Sequence, residues 1–138
     1  MDKKIYDLAP KYFLEEGYSC SESIVRAAAD LGLIDENIVS IATSFSGGMG
    51  NGCLCGAVAG AQIVLGYLHG KYKDNTSRAL AKDFYQRFTQ KHKITCCKIL
   101  TKNFKDFHSQ ERKNHCVNMV YDSAKILDEI LSEIKERV

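Results

Sequence analysis

The chain reads as all-α, a single-domain bundle of about five to seven helices. Three observations carry this reading. Only one proline occurs in 138 residues. Most apolar positions recur at three- and four-residue spacing, the period of a helix face. No Asn-Gly turn sits between two alternating apolar runs, so no hairpin is signalled. Without an internal repeat, linker or low-complexity tract, residues 1–138 are taken as one domain.

The elements follow in order. A first helix is expected over Asp7 to Glu16, with Pro10 in its first turn and Gly17 as its stop. Ser19-Cys20-Ser21-Glu22 is a capping box that opens a second helix carrying Ile24, Val25, Ala28 and Leu31 and ending at Gly32. A short third helix follows Asp35. The glycine-rich loop from Gly47 to Gly52 leads into an apolar helix from Cys53 to about Leu68. That stretch is shorter than the ~20 residues of a membrane span and contains Gln62, so it reads as a buried core helix.

After Gly70 and an Asp74-Asn75-Thr76 turn, an amphipathic helix carries Ala79, Leu80, Phe84, Arg87 and Phe88 and ends near Lys91. A short helix opens at Thr95. The last is expected from about Asn114 onward, with Val117, Val120, Ala124, Leu127, Leu131 and Ile134 at a/d spacing. This stripe reads first as core packing and second as a dimer seam, so a homodimer is among the expectations.

Charge excludes some functions. The 19 basic and 17 acidic residues are mixed along the chain apart from a Lys-rich stretch from Lys91 to Lys113. That pattern is too diffuse for a nucleic-acid footprint and reads as a solvated face. No apolar segment follows the charged start Met1 to Tyr6, so a cytoplasmic protein is expected, with neither nucleic acid nor membrane as partner.

In a reducing compartment six cysteines are better read as metal ligands or redox groups than as disulfides. For an exported protein, three disulfides would lead instead. Each cysteine falls beside a cap signal: Cys20 after Ser19, Cys53 and Cys55 after Asn51, Cys96 and Cys97 after Thr95, Cys116 after Asn114. All six thiols would lie in, or just after, the first turn of a helix, where the macrodipole and unpaired N–H groups lower a thiol's pKa and favour thiolate, the form that binds metal.

Familiar motifs are absent. No Cys-x-x-Cys occurs, which excludes common zinc-finger, thioredoxin-type and ferredoxin runs. Neighbouring side chains diverge, so one member each of Cys53/Cys55 and Cys96/Cys97 is expected to ligate. The glycine loop fails the dinucleotide fingerprint, because the glycines it requires at positions 53 and 55 are cysteines. Gly52, Gly56 and Gly60 instead read as a small-residue stripe for close helix packing. Of His69, His92, His108 and His115, only His115 neighbours a cysteine, and a Cys-His nucleophilic site has no identifiable orienting Asn or Asp.

Cys55-Gly56-Ala57-Val58-Ala59-Gly60 resembles the CGAxxG signature of a family of redox-active proteins written C_GCAxxG_C_C. The likeness extends from Tyr18-Ser19-Cys20 through the Phe45 to Gly50 loop to Cys97-Lys98-Ile99-Leu100 and Cys116. The resemblance implies four metal ligands, Cys20, Cys55, Cys97 and Cys116, and leaves Cys53 and Cys96 outside the pattern. Gly56 and Gly60 of the signature are then expected to border the cofactor. It further implies an iron–sulfur cluster, 2Fe–2S favoured over 4Fe–4S, and electron transfer with an unidentified redox partner in anaerobic metabolism. The alternatives are a non-redox zinc or metal-carrier module and a thiol–disulfide oxidoreductase.

Overall fold

Local caps and apolar faces are realised as seven α-helices in the computed structural model, which describes residues 3–71, 76–105 and 109–137, with side chains through Ile134. Among the described residues there is no strand, only one isolated bridge, Leu54 to Cys96. The all-α reading is therefore observed. No helix among the described residues is long and apolar enough to cross a membrane.

Helix α1 spans Ile5–Glu15, two residues earlier than the sequence indicates. Its first amides are capped from across the bundle, where the Asp128 carboxylate accepts from Ile5 and Tyr6 N–H at 3.1 and 2.9 Å. Asp7 adds a local contact, its carboxylate accepting the Lys4 N–H at 2.7 Å, while the Asp128 cap leaves no local signal. Pro10 consequently lies inside the helix, beyond the first turn. Gly17, at φ +78°, turns the chain out of α1 as expected.

Helix α2, Cys20–Asp30, starts on the predicted capping box: Glu22 N–H donates to Ser19 Oγ and Ser19 N–H to Glu22 Oε1. Two single 3-10 turns and the short helix α3, Val39–Ala42, then carry the chain to the glycine loop. The apolar helix α4 is Gly56–His69, so Cys53 precedes it by three residues and Cys55 is its cap residue.

Helix α5 spans Thr76–His92 and buries Leu80, Phe84 and Phe88, while Ala79 is exposed. The expected turn before it falls at Asp74 and Asn75, outside the described residues, as does His108. A single helical turn, α6, covers Cys97–Leu100.

The last helix, α7, is Gln110–Arg137 and starts about one turn before the Asn114 signal. Its true cap is Ser109, whose Oγ accepts the Arg112 N–H at 3.1 Å. Val120, Ala124 and Leu127 of the a/d stripe are fully buried in the common core, while Val117, Leu131 and Ile134 pack at its margin. The stripe is thus spent on the bundle itself, chiefly against α1. Helices α2 and α4 cross closely because Gly60 has no side chain: a Cβ there would lie 2.7 Å from Ser21 O and 3.1 Å from Ile24 Cβ.

Candidate metal centre

The start of α2, the start of α4, the turn α6 and the first part of α7 meet at one end of the bundle. Each contributes one cysteine. Cys20, Cys55, Cys97 and Cys116 line the same small cavity, which has about 20 Å³ of free space. Gly47, Gly56, Leu100, Thr101, Met119 and Arg112 complete its wall. Cys53 is exposed and Cys96 half-buried, and neither lines it. All six thiols are free.

Local geometry explains how the thiols reach one place. Cys97 N–H donates to Cys53 O at 2.5 Å and Cys55 N–H to Thr95 O at 2.7 Å, so a two-rung antiparallel contact clips the glycine loop to α6. The loop folds tightly enough to allow this through positive φ at Gly47, Gly48, Gly50 and Gly52, with Met49 also at φ +60°. Gly48 is indispensable there, since a Cβ would lie 2.6 Å from Cys53 N and 2.8 Å from Cys97 Cβ. On the other side Ser46 Oγ donates to Ser19 Oγ at 2.7 Å, tying the loop to the cap of α2.

Gly56 and Gly60 play different parts. A Cβ on Gly56 would lie 2.4 Å from Cys20 Sγ, so the absent side chain at Gly56 is what opens space beside that sulfur. Gly60 touches the cavity nowhere and serves the α2–α4 contact. Gly52 is in the loop, under the Lys98 side chain, and is not part of a helical stripe.

The expectation that all six cysteines open helices is corrected. Cys20 and Cys97 are the first residues of α2 and α6, and Cys55 and Cys96 are cap residues. Cys53 lies in the loop, and Cys116 is in the second turn of α7 because that helix begins at Gln110. α6, one turn long, has little macrodipole to offer.

The electrostatic expectation is corrected as well. Burial pushes all four lining thiols above their ordinary value: Cys55 to about 12, Cys116 to about 11, and Cys20 and Cys97 upward. First-turn amides do act in the predicted sense, that of Ser21 on Cys20 and those of Ala57 and Val58 on Cys55, and the loop amide of Gly47 acts on Cys20 as well. Desolvation of a buried charge outweighs them. The thiols also raise one another, Cys20 acting on Cys55, Cys97 and Cys116, because they lie close together.

Two wall residues escaped the sequence reading. Arg112 Nη1 donates to Cys116 Sγ at 3.4 Å, and its charge favours thiolate at Cys20, Cys97 and Cys116. The spacing of four residues on one helix was the available signal, hidden by the late placement of the helix start. Thr101 is buried beside Cys97 and favours its ionised form. His115, by contrast, engages Leu100 O at 2.7 Å and stands outside the cavity lining.

The donor set suits a thiolate-ligated metal group: four sulfurs and a cation, with no carboxylate or imidazole in the wall among the described residues. The sulfurs surround the cavity without converging on one point. No three His, Cys, Asp or Glu side chains among the described residues are disposed to hold a single ion.

No curated protein and no solved structure matches the chain. A family model does, over residues 18–130, under the description "Putative redox-active protein (C_GCAxxG_C_C)". The matched span contains all four lining cysteines and the starts of α2, α4, α6 and α7, and the chain belongs to this family of redox-active proteins.

Proposed function

We propose that the protein holds an iron–sulfur cluster on Cys20, Cys55, Cys97 and Cys116 and acts as a one-electron carrier. The observation that carries this reading is the meeting of four cysteines from four separate segments around one cavity. When bound, such a cluster supplies reversible one-electron chemistry. The chain's own part is to furnish four sulfurs, amides at the starts of α2 and α4, and the Arg112 charge, which together offset the negative charge of gathered thiolates.

Two features favour a cluster over the alternatives. Sulfurs spread around a cavity suit several irons better than one zinc, which draws its ligands to a single centre. Thiols held neutral up to about 11 and 12 are poor nucleophiles, which disfavours a thiol–disulfide enzyme. Seating a cluster requires the thiol rotamers to open, and the unbranched Met119 is the wall residue best able to yield. The test is purification without oxygen, followed by absorption spectroscopy and counts of iron and acid-labile sulfide. Visible charge-transfer bands with iron and sulfide in equal number support the proposal; a colourless protein containing zinc refutes it.

A further inference from the structure

Helix α6 supplies Cys97 and Leu100 to the wall of the thiol cavity, and the segment around α6 is unlike the rest of the chain in charge. Five lysines, Lys91, Lys93, Lys98, Lys102 and Lys105, lie in a segment that contains no acidic residue, so the remainder of the chain is net negative. All five are exposed. Elsewhere basic residues are interleaved with acidic ones along the chain, and two of them are paired in space, Arg26 with Asp30 and Glu36 and Arg87 with Asp83 and Glu133. Of the five lysines only Lys91 has a carboxylate partner among the described residues, Asp122 at 2.9 Å.

Two open grooves flank this turn. One, of about 750 Å³, is bordered by Lys91, Lys93 and Lys102 and shares Leu100 and Met119 with the thiol cavity. The other, of about 470 Å³, is bordered by Lys98 and shares Gly47, Cys97 and Thr101 with it. Ile99, 47% exposed, stands between the lysines, and Met49, 43% exposed, lies on the loop packed against α6. An apolar centre with a charged rim is the anatomy of a protein interface. The five exposed cations of this segment are all lysines, none of them an arginine fork for phosphate.

We propose that the α6 face is the docking surface for an acidic electron-transfer protein, with Ile99 and Met49 at its centre and Lys93, Lys98, Lys102 and Lys105 steering the approach. The inference deepens the electron-carrier reading and rests on it for the exchange itself. One electron passes between the thiol site and the partner's own redox centre; one is oxidised as the other is reduced, and no bond or proton is moved.

The face is tested first without reference to electron exchange. Isotope-labelled protein is titrated with the paramagnetic trianion hexacyanochromate(III), and amide line broadening is mapped. Broadening confined to α6 and the adjoining lysines, abolished by salt and by the Lys98→Glu/Lys102→Glu variant but not by Lys125→Glu on α7, is expected. Lys93→Glu/Lys105→Glu serves if the first variant does not fold. Broadening spread over the whole surface would overturn the proposal. So would a DNA duplex that binds this face more tightly than poly-glutamate of equal charge.

Exchange is then timed with hexacyanoferrate(III) and with tris(phenanthroline)cobalt(III). The lysine variant should slow the anionic oxidant by roughly tenfold or more at low salt and not the cationic one. Equal effects on both would overturn the docking assignment. No exchange with either reagent, with the broadening map intact, would refute the electron-carrier reading alone.

Discussion

The Arg112 guanidinium donates to the sulfur of Cys116 at 3.4 Å, from one turn earlier on the same helix. A cation in the wall of a four-cysteine cavity opposes the mutual repulsion that four thiolates would feel. Replacing it by a shorter neutral polar chain, Arg112→Gln, should weaken metal retention by roughly 10- to 100-fold, the scale found for groups that support metal ligands. The reduction potential of the loaded protein should fall, because the more negative reduced state loses its counter-charge. A redox titration and a chelator competition measure the two effects; an unchanged potential would exclude a charge role for Arg112.

Ligation is expected to follow the cavity. Cys20→Ser, Cys55→Ser, Cys97→Ser and Cys116→Ser should each lose most bound metal, whereas Cys53→Ser and Cys96→Ser, which lie outside the wall, should retain it. Iron and sulfide content per chain decides. Full iron in Cys55→Ser would dismiss the assignment.

The two signature glycines should separate. Gly56→Ala forces a methyl to within 2.4 Å of Cys20 Sγ, so it should impair metal uptake as well as stability. Gly60→Ala meets Ser21 O, Ser21 Cα and Ile24 Cβ and no cavity sulfur among its nearest atoms, so it should destabilise the α2–α4 contact by about 1–3 kcal/mol and leave uptake by the folded fraction intact. Urea unfolding together with metal analysis distinguishes them.

The buried thiols make the metal-free protein sensitive to alkali. Each folded pKa is raised above that of a free thiol, so the folded chain keeps protons that the unfolded chain releases. Their contribution to stability is whole below about pH 9 and declines as pH rises toward about 11 and 12, the values of Cys116 and Cys55. Unfolding midpoints of the metal-free protein should therefore fall across that window. Alkylation at neutral pH should reach exposed Cys53 first and the four lining thiols last.

The α2 cap links fold and site. Ser19→Ala removes the acceptor of both the Glu22 N–H and the Ser46 hydroxyl, and should destabilise the fold by about 1 kcal/mol. Because Ser46 adjoins Gly47 in the cavity wall, metal exchange should also become faster, as measured by isotope exchange at constant stability.

What the sequence determined by itself was what depends on neighbours along the chain. The all-α class, the Ser19 to Glu22 capping box, the turn at Gly17 and the buried face of α5 are products of short-range spacing and caps, which a single strand of residues displays. The choice of Cys20, Cys55, Cys97 and Cys116 over Cys53 and Cys96 also came from the sequence, through family likeness, and these four line one cavity. Tertiary structure alone decided the rest. Asp128 set the start of α1 from the far end of the chain, and the Ser109 cap placed Cys116 in a second turn beside Arg112. The direction of the thiol pKa values was decided there too. Helix-start amides are local and were legible, but the desolvation that overrides them exists only once four segments close around the sulfurs.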